Sequence, residues 1–309
     1  MIAAFAPGSV SNVGPGFDVL GFALAEPGDI VGAEAGDGPG VEIVAIEGDS
    51  GALSHDARRN TAGAAVEALL SRLGTIRGVR LHIHKGLPLA SGIGSSGASA
   101  VAALVATNEL LGRPAPLDVL LDCAMAGEVA GCGSAHPDNV APALYGGFVL
   151  ARSTRPVDLV RLPVPDGLSC AVLHPHVTIE TGSARRLLGE SVPLTAAVRQ
   201  WANVGALVAG LFRNDLSLLS RALEDHVAEP RRAHLVPGLE RVKQAAKAAG
   251  ALGCGLSGSG PSIFALCESP DAAATTGHAM REAFGAASGV PTDLWISPVG
   301  APGARIVTP

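Results

Sequence analysis

Apolar and polar positions alternate in two short stretches of this chain, residues 41–48 (VEIVAIEG) and 79–86 (VRLHIHKG), both rich in β-branched side chains. Alternation puts successive side chains on opposite faces, so both are predicted strands. Between them, residues 60–74 (NTAGAAVEALLSRLG) space their apolar positions by three and four and stop at a glycine, which predicts a helix. The same spacing predicts helices over 98–112 (ASAVAALVATNELLG) and 116–131 (PLDVLLDCAMAGEVAG). The second has Asp118 in its first turn, where the helix dipole favours a negative charge. GGFVLA (146–151) and LSCAVLHP (168–175) resume strands. Residues 194–215, 217–230 and 239–250 are expected as helices, and SIFALCE (262–268) as a final strand.

Strands and helices are thus interspersed along the whole chain, but without the regular βαβ beat of a doubly wound sheet. Its 309 residues exceed what one core usually supports. The softest seam is the charged, proline-bearing run 151–167 (ARSTRPVDLVRLPVPDG), which divides the chain into domains 1–155 and 156–309.

Composition narrows the class. Apolar residues make up 48% and charged ones 16%, the balance of a well-buried globular protein. With only 3% aromatic residues, the core must be built from Ala, Val, Leu and Ile. A net charge of −6 argues against a nucleic-acid partner, which requires a basic stripe. No run of 18 apolar residues suggests a membrane span, and the opening MIAAFAPGSV does not read as a signal peptide. Five cysteines without CxxC spacing are expected to be reduced, in a cytoplasmic protein.

The segment that raises a chemical question is 88–100, PLASGIGSSGASA, with Gly92, Gly94 and Gly97 spelling GxGxxG. A dinucleotide site requires a second strand ending in an acid about 20 residues on. Here another helix begins there instead. A Walker loop requires a lysine, and Ala98 and Ser99 stand in that place. What remains is a strand, a loop of small residues with free backbone N–H groups, and a long helix. That arrangement is an anion cradle, and the Ser95 and Ser96 hydroxyls suit a phosphate-bound Mg²⁺. A glycine turn with serine caps would read the same way locally.

Residues 88–96 resemble the phosphate loop of the GHMP superfamily of small-molecule kinases, with Ala90 for a frequent glycine and Ile93 for a frequent leucine. Within it, APGSVSNVGPGFDVLGFAL (6–24), HPDNVAPALYGG (136–147), EPRRAHLVPG (229–238) and GLSGSGPSIFAL (255–266) resemble, in order, the motifs of the homoserine kinase family. The resemblance implies a two-domain GHMP fold: a ribosomal-protein-S5-like α/β domain followed by a ferredoxin-like α+β domain, with the active site between. It also implies ATP and Mg²⁺, transfer of a phosphoryl group to the hydroxyl of L-homoserine, and a homodimer. Another GHMP kinase acting on a different alcohol, or a silent sensor on the same fold, stays open.

By motif position, ATP would lie along Pro88, Leu89, Ala90, Ser91, Gly92, Ile93, Gly94, Ser95 and Ser96, with Asn60 on the adenine side or simply capping its helix. Ser96 and Glu128 would hold the metal. Asn12, Asp18, His136 and Asn139 would line the acceptor pocket, with Asn12, Asp18 and Thr181 nearest the transferred group. The substrate carboxylate would meet a planar guanidinium, Arg185 or its neighbour Arg186, and Arg232 or Arg231. No catalytic base is evident, so the hydroxyl would be oriented by Asn12 or Asp18 and lose its proton to phosphate or solvent. Lys85, just before the loop, could help neutralise phosphate, but reads first as a solvated strand-end lysine, and His82/His84 and His174/His176 read as ordinary strand histidines.

Overall fold

Two strands that alternation does not reveal open the chain in the computed structural model, which describes residues 1–154 and 156–308. They are β1 (Ile2–Ser11) and β2 (Leu20–Gly36). All but one residue of β1 are buried, and a strand covered in this way carries no alternating pattern. Next come β3 (Gly40–Glu47), α1 (Thr61–Arg72), β4 (Gly78–His84), α2 (Ser95–Leu110), α3 (Leu117–Cys132) and α4 (Pro137–Tyr145), then the hairpin β5 (Phe148–Thr154) and β6 (Val157–Leu162). β3 and β4 pair in parallel through α1.

Among the described residues the first sheet has seven strands, in the order β11-β1-β2-β4-β3, with β5 on β2 and β6 on β5. β11 (Arg305–Val307) is the last strand of the chain, so the C-terminus returns to the first sheet. The β5–β6 hairpin carries that sheet on to Leu162, across the seam expected at residue 155, which itself lies outside the described residues. Helix α2 is built of small residues, and eleven of them are buried. It has no polar face to give to water and lies between the sheet and helices α1, α3 and α4.

The second sheet contains β7 (Ser169–Pro175), β8 (Gly253–Leu256), β9 (Ile263–Cys267) and β10 (Thr292–Pro298), all antiparallel. Its spatial order, β10-β7-β9-β8, is that of a ferredoxin-like sheet. α9 (Leu239–Ala248) and α10 (Pro270–Ser288) pack against it. Between β7 and α9 come α5 (Thr181–Arg186), α6 (Leu194–Arg213), α7 (Leu216–Ala222) and α8 (Glu229–Arg232). The two-domain α/β plus α+β architecture implied by the motifs is therefore present.

Several expectations are corrected. Residues 217–230 do not form one helix, because α7 stops at Ala222. Beyond it the Asp225 carboxylate accepts the backbone N–H groups of Val227, Ala228 and Glu229, at 2.8, 3.1 and 2.7 Å. That turn opens α8, which delivers Arg232. Residues 262–268 are not the last strand either, since β10 and β11 follow α10. Among the described residues no helix is long and apolar enough to cross a membrane. Cys123, Cys170, Cys254 and Cys267 are free thiols, and Cys132 lies outside the described side chains.

Candidate active site

A cavity of about 500 Å³ opens between the two domains, lined by the first sheet's strand ends, loops and helices on one side and by α5, α8 and the β8–β9 loop on the other. One wall is the loop between β4 and α2. Gly94 caps α2 in the left-handed region at φ 72°, and a methyl group there would sit 2.3 Å from Ser9 Oγ. Gly92, also left-handed, runs so close to the second domain that its methyl would lie 2.6 Å from the carbonyl oxygens of Ser257 and Gly260. Ser257 Oγ donates to the Gly92 carbonyl at 2.7 Å and Ser262 N to that of Ser91 at 3.2 Å, so the loop is also a domain contact. Leu89, Ala90, Ser91, Gly92, Gly94, Ser95 and Ser96 face the cavity. Pro88 does not line it. Ile93 is fully buried below the loop, and its carbonyl accepts from Ser9 N at 3.0 Å.

Lys85 overturns its expectation. Far from being solvated, its side chain is 1% exposed and ion-paired with the buried Asp29. It also donates to Ser99 Oγ at 2.8 Å and to the Ser95 carbonyl at 2.9 Å. Asp29 in turn accepts Gly86 N and Leu87 N at 3.1 Å each. A buried ion pair, satisfied on every side, pins the strand's exit to the first turn of α2 from beneath the loop. Asp29 is one of three acids in β2, and of the three only it is buried, which the sequence does not tell.

Glu128 projects from α3 and is 2% exposed. It accepts from Ser96 Oγ at 2.5 Å, and His136 Nδ1 lies 3.3 Å away. Burial pulls the His136 pKa down, but the hydrogen bond and charge of Glu128, with Asp138 and Asp18 nearby, outweigh it and leave it raised. Among the described residues no group of three His, Cys, Asp or Glu side chains could hold a metal by itself. His82 pairs with Glu34 at 3.2 Å, and His174 stacks on Trp295. Asn60 lines the cavity with its amide committed on both sides: Oδ1 accepts Ala62 N and Nδ2 donates to the Ser54 carbonyl, each at 3.0 Å.

The opposite wall is charged. The Asn12–Asp18 turn between β1 and β2 holds both end residues in the left-handed region, at φ 65° and 59°. Asn12 Oδ1 accepts Asp18 N at 2.9 Å, and Asn12 Nδ2 donates to the Gly258 carbonyl at 2.8 Å. The Asn12 amide is therefore a tie between loops. Asp18 Oδ2 accepts both terminal nitrogens of Arg185, at 2.8 and 2.5 Å. Asn139 Oδ1 accepts from Ser9 Oγ at 3.0 Å, and Thr181 Oγ1 lies 3.5 Å from Ser259 Oγ. Arg185 and Arg232 line the cavity, whereas Arg186 turns outward to Glu180 and Arg231 to the Ser191 carbonyl.

Two buried groups stand out against this background of satisfied pairs. Arg232 is 3% exposed, yet among the described residues it is held by the carbonyls of Ala184 (3.2 Å) and Gly258 (3.1 Å) and by a ring face, with no ion pair. Burial, with the charge of Arg185, lowers its pKa against the pull of Asp18 and Asp225. Asp138, absent from the sequence reading, accepts Asn12 N through Oδ2 at 3.3 Å while its buried Oδ1 has no partner. Burial first, and then the Asp18 charge, push its carboxyl up to about 7. Its position beside Asn139 in the HPDN motif was the available signal.

The sequence compares with known proteins along its whole length. The family described as "GHMP kinases N terminal domain" matches residues 60–147, and "GHMP kinases C terminal" matches 207–286. A homoserine kinase of Chlorobium phaeobacteroides (strain BS1) is 47% identical, with 99% of each chain covered. One from Xanthomonas campestris pv. campestris is 43% identical, covering 98% of this chain and 93% of the relative. The crystal structure of homoserine kinase from Cytophaga hutchinsonii superposes with a TM-score of 0.96 at 50% identity, over 99% of this chain and 97% of that one. Leishmania major mevalonate kinase shares the fold, with a TM-score of 0.72 at 19% identity. Matched from end to end by these proteins, the chain belongs to the homoserine kinase family of the GHMP kinases.

Proposed function

We propose that the cavity takes ATP along residues 88–96 and L-homoserine against the opposite wall, and that the enzyme transfers the γ-phosphoryl group to the substrate's side-chain hydroxyl. The observation that carries this reading is Arg232, a buried cation without an acid partner beside the Asp18–Arg185 pair. Burying a charge unpaired is strongly unfavourable, so such a group calls for a ligand carboxylate. An amino acid meets the wall at both signs: its carboxylate answers the arginines and its ammonium answers Asp18.

Phosphoryl transfer relies on positioning and charge neutralisation more than on covalent chemistry. The free N–H groups of the loop and the positive end of α2 bind the polyphosphate. The donor set fits Mg²⁺: a hydroxyl and a buried carboxylate, both oxygen ligands, leave room for phosphate and water. When bound between Ser96 and Glu128, the ion would neutralise charge developing on the phosphates. His136 orients the Glu128 carboxylate. Asp138 Oδ1 is the free acceptor for the hydroxyl proton; as the new O–P bond forms, the γ-phosphorus bond to the ADP oxygen breaks, and ADP leaves with its electron pair. Asp18, already bound to Arg185, serves the substrate's charge instead. The product, O-phospho-L-homoserine, places the enzyme on the route to threonine.

We also read the enzyme as a cytoplasmic homodimer. Exposed Leu194, Val198 and Trp201, spaced along one face of α6, support self-association. The direct test is ADP release measured with L-homoserine, mevalonate, shikimate and galactose. Release should follow L-homoserine alone and require Mg²⁺. A signal independent of homoserine, or turnover of another alcohol in preference to it, overturns the assignment.

A further inference from the structure

We propose that Phe17 is the positioning residue of the acceptor-carboxylate site: its ring is the shared surface that holds the Arg185 and Arg232 guanidinia convergent on one ligand carboxylate. The inference rests on the reading that this wall takes an amino acid. Arg185 arrives on α5 and Arg232 on α8, two short helices separated by the whole of α6 and α7. Their Cζ atoms nevertheless lie 5.5 and 5.4 Å from the same ring centroid, both within cation–π range. Phe17 lines the cavity with them and precedes Asp18 in the turn that Asn12 ties down.

Two guanidinia meeting in one partly buried place repel each other, and something must offset that. Asp18 does so for Arg185, taking one N–H from each of its terminal nitrogens and leaving the other on each. An acid beside Arg232 as well would neutralise the second cation and turn an anionic ligand away. An aromatic face attracts the cation through its quadrupole and takes up no N–H group, so the donors remain for a carboxylate. Arg232, fixed otherwise by two carbonyls, depends on that face the more.

The test uses the full-length enzyme with Phe17→Leu, which keeps apolar bulk but removes the π face, and Phe17→Tyr, which keeps the face. L-Homoserine is compared with 3-aminopropan-1-ol, which carries the ammonium and hydroxyl but no carboxylate. Phe17→Leu should raise KM for homoserine about 5- to 30-fold, with KM for ATP and kcat within about twofold. The preference for homoserine over the amino alcohol should shrink by the same factor, and Phe17→Tyr should restore it. Calorimetric binding of L-2-aminobutyrate, which has the carboxylate but no hydroxyl to phosphorylate, gives an arm independent of turnover and should weaken equally in Phe17→Leu. An unchanged KM and affinity in that variant, or equal losses for both acceptors, overturns the proposal. A wild-type enzyme that binds L-2-aminobutyrate through Phe17 but does not phosphorylate homoserine leaves it standing and overturns the assigned reaction instead.

Discussion

The two ends of the cavity, the one proposed for the nucleotide and the one proposed for the acceptor, are built by opposite means. The proposed nucleotide end is a contiguous stretch within residues 88–96 that presents backbone and owes its shape to Gly92, Gly94 and the serines around them. The acceptor end is assembled from side chains on the β1–β2 turn, α4, α5 and α8, with Phe17 and Asn12 tying them together. A backbone cradle recognises what all nucleoside triphosphates share, and side chains can alter it only by obstructing it. A wall of charges recognises one acceptor, and each member can be changed singly. Variants at the two ends should therefore fail in different ways.

The largest effect is expected where the two ends meet, at Glu128. Glu128→Gln keeps the size and an acceptor for Ser96 but removes the negative charge that would face the proposed Mg²⁺. Turnover should fall by about 10²- to 10³-fold, and the Mg²⁺ concentration for half-maximal rate should rise. Initial rates across a Mg²⁺ titration measure both. An unchanged metal requirement would place the ion elsewhere and detach Glu128 from the nucleotide end.

Asp138 comes next, and pH separates its two consequences. Its carboxyl is pushed up to about 7 in the fold, against about 3.9 in an unfolded chain. Between those values the folded protein holds a proton that the unfolded chain has released, so stability declines as pH rises from about 4 to 7. The proton-accepting form fills over the upper part of the same range, so kcat should rise toward and past pH 7. Asp138→Asn should lower kcat by about 10²-fold or more, flatten that limb of the profile and raise Tm at pH 8. A variant that retains the limb near pH 7 removes Asp138 from the chemistry.

The same contrast explains what could be read from sequence. The loop is local, so its glycines and serines spell it out in nine consecutive residues, and the helices around it carry their spacing openly. The acceptor wall is not local. The motifs singled out Asp18, Arg185 and Arg232, but nothing in the chain told that Asp18 and Arg185 already satisfy each other while Arg232 has no ion pair. Asp138 and Lys85 were missed for the same reason, since burial decides their chemistry and burial belongs to the fold. β1 escaped because it is buried almost throughout and leaves no alternation, and β2 because Glu26, Pro27 and Gly28 interrupt its apolar residues. α10 was missed as well, although its start carries a local signal: Ser269 accepts Ala272 N at 3.2 Å, with Pro270 in the first turn.

The smallest effect tests where the nucleotide end stops. Asn60 sits at the cavity's edge, yet its amide is already engaged on both sides, with Ala62 N and with the Ser54 carbonyl. A side chain committed to capping α1 is oriented by the helix and by Ser54, not by an adenine ring. Asn60→Ala should then reduce stability by about 0.5–2 kcal/mol, seen as a lower Tm, while KM for ATP stays within about twofold of wild type. Asn60→Asp keeps the acceptor oxygen that meets Ala62 N and should recover much of the loss. A KM for ATP that rises tenfold with Tm unchanged would reverse the conclusion. The nucleotide end would then include a base-reading side chain, and its contrast with the acceptor wall would be one of degree.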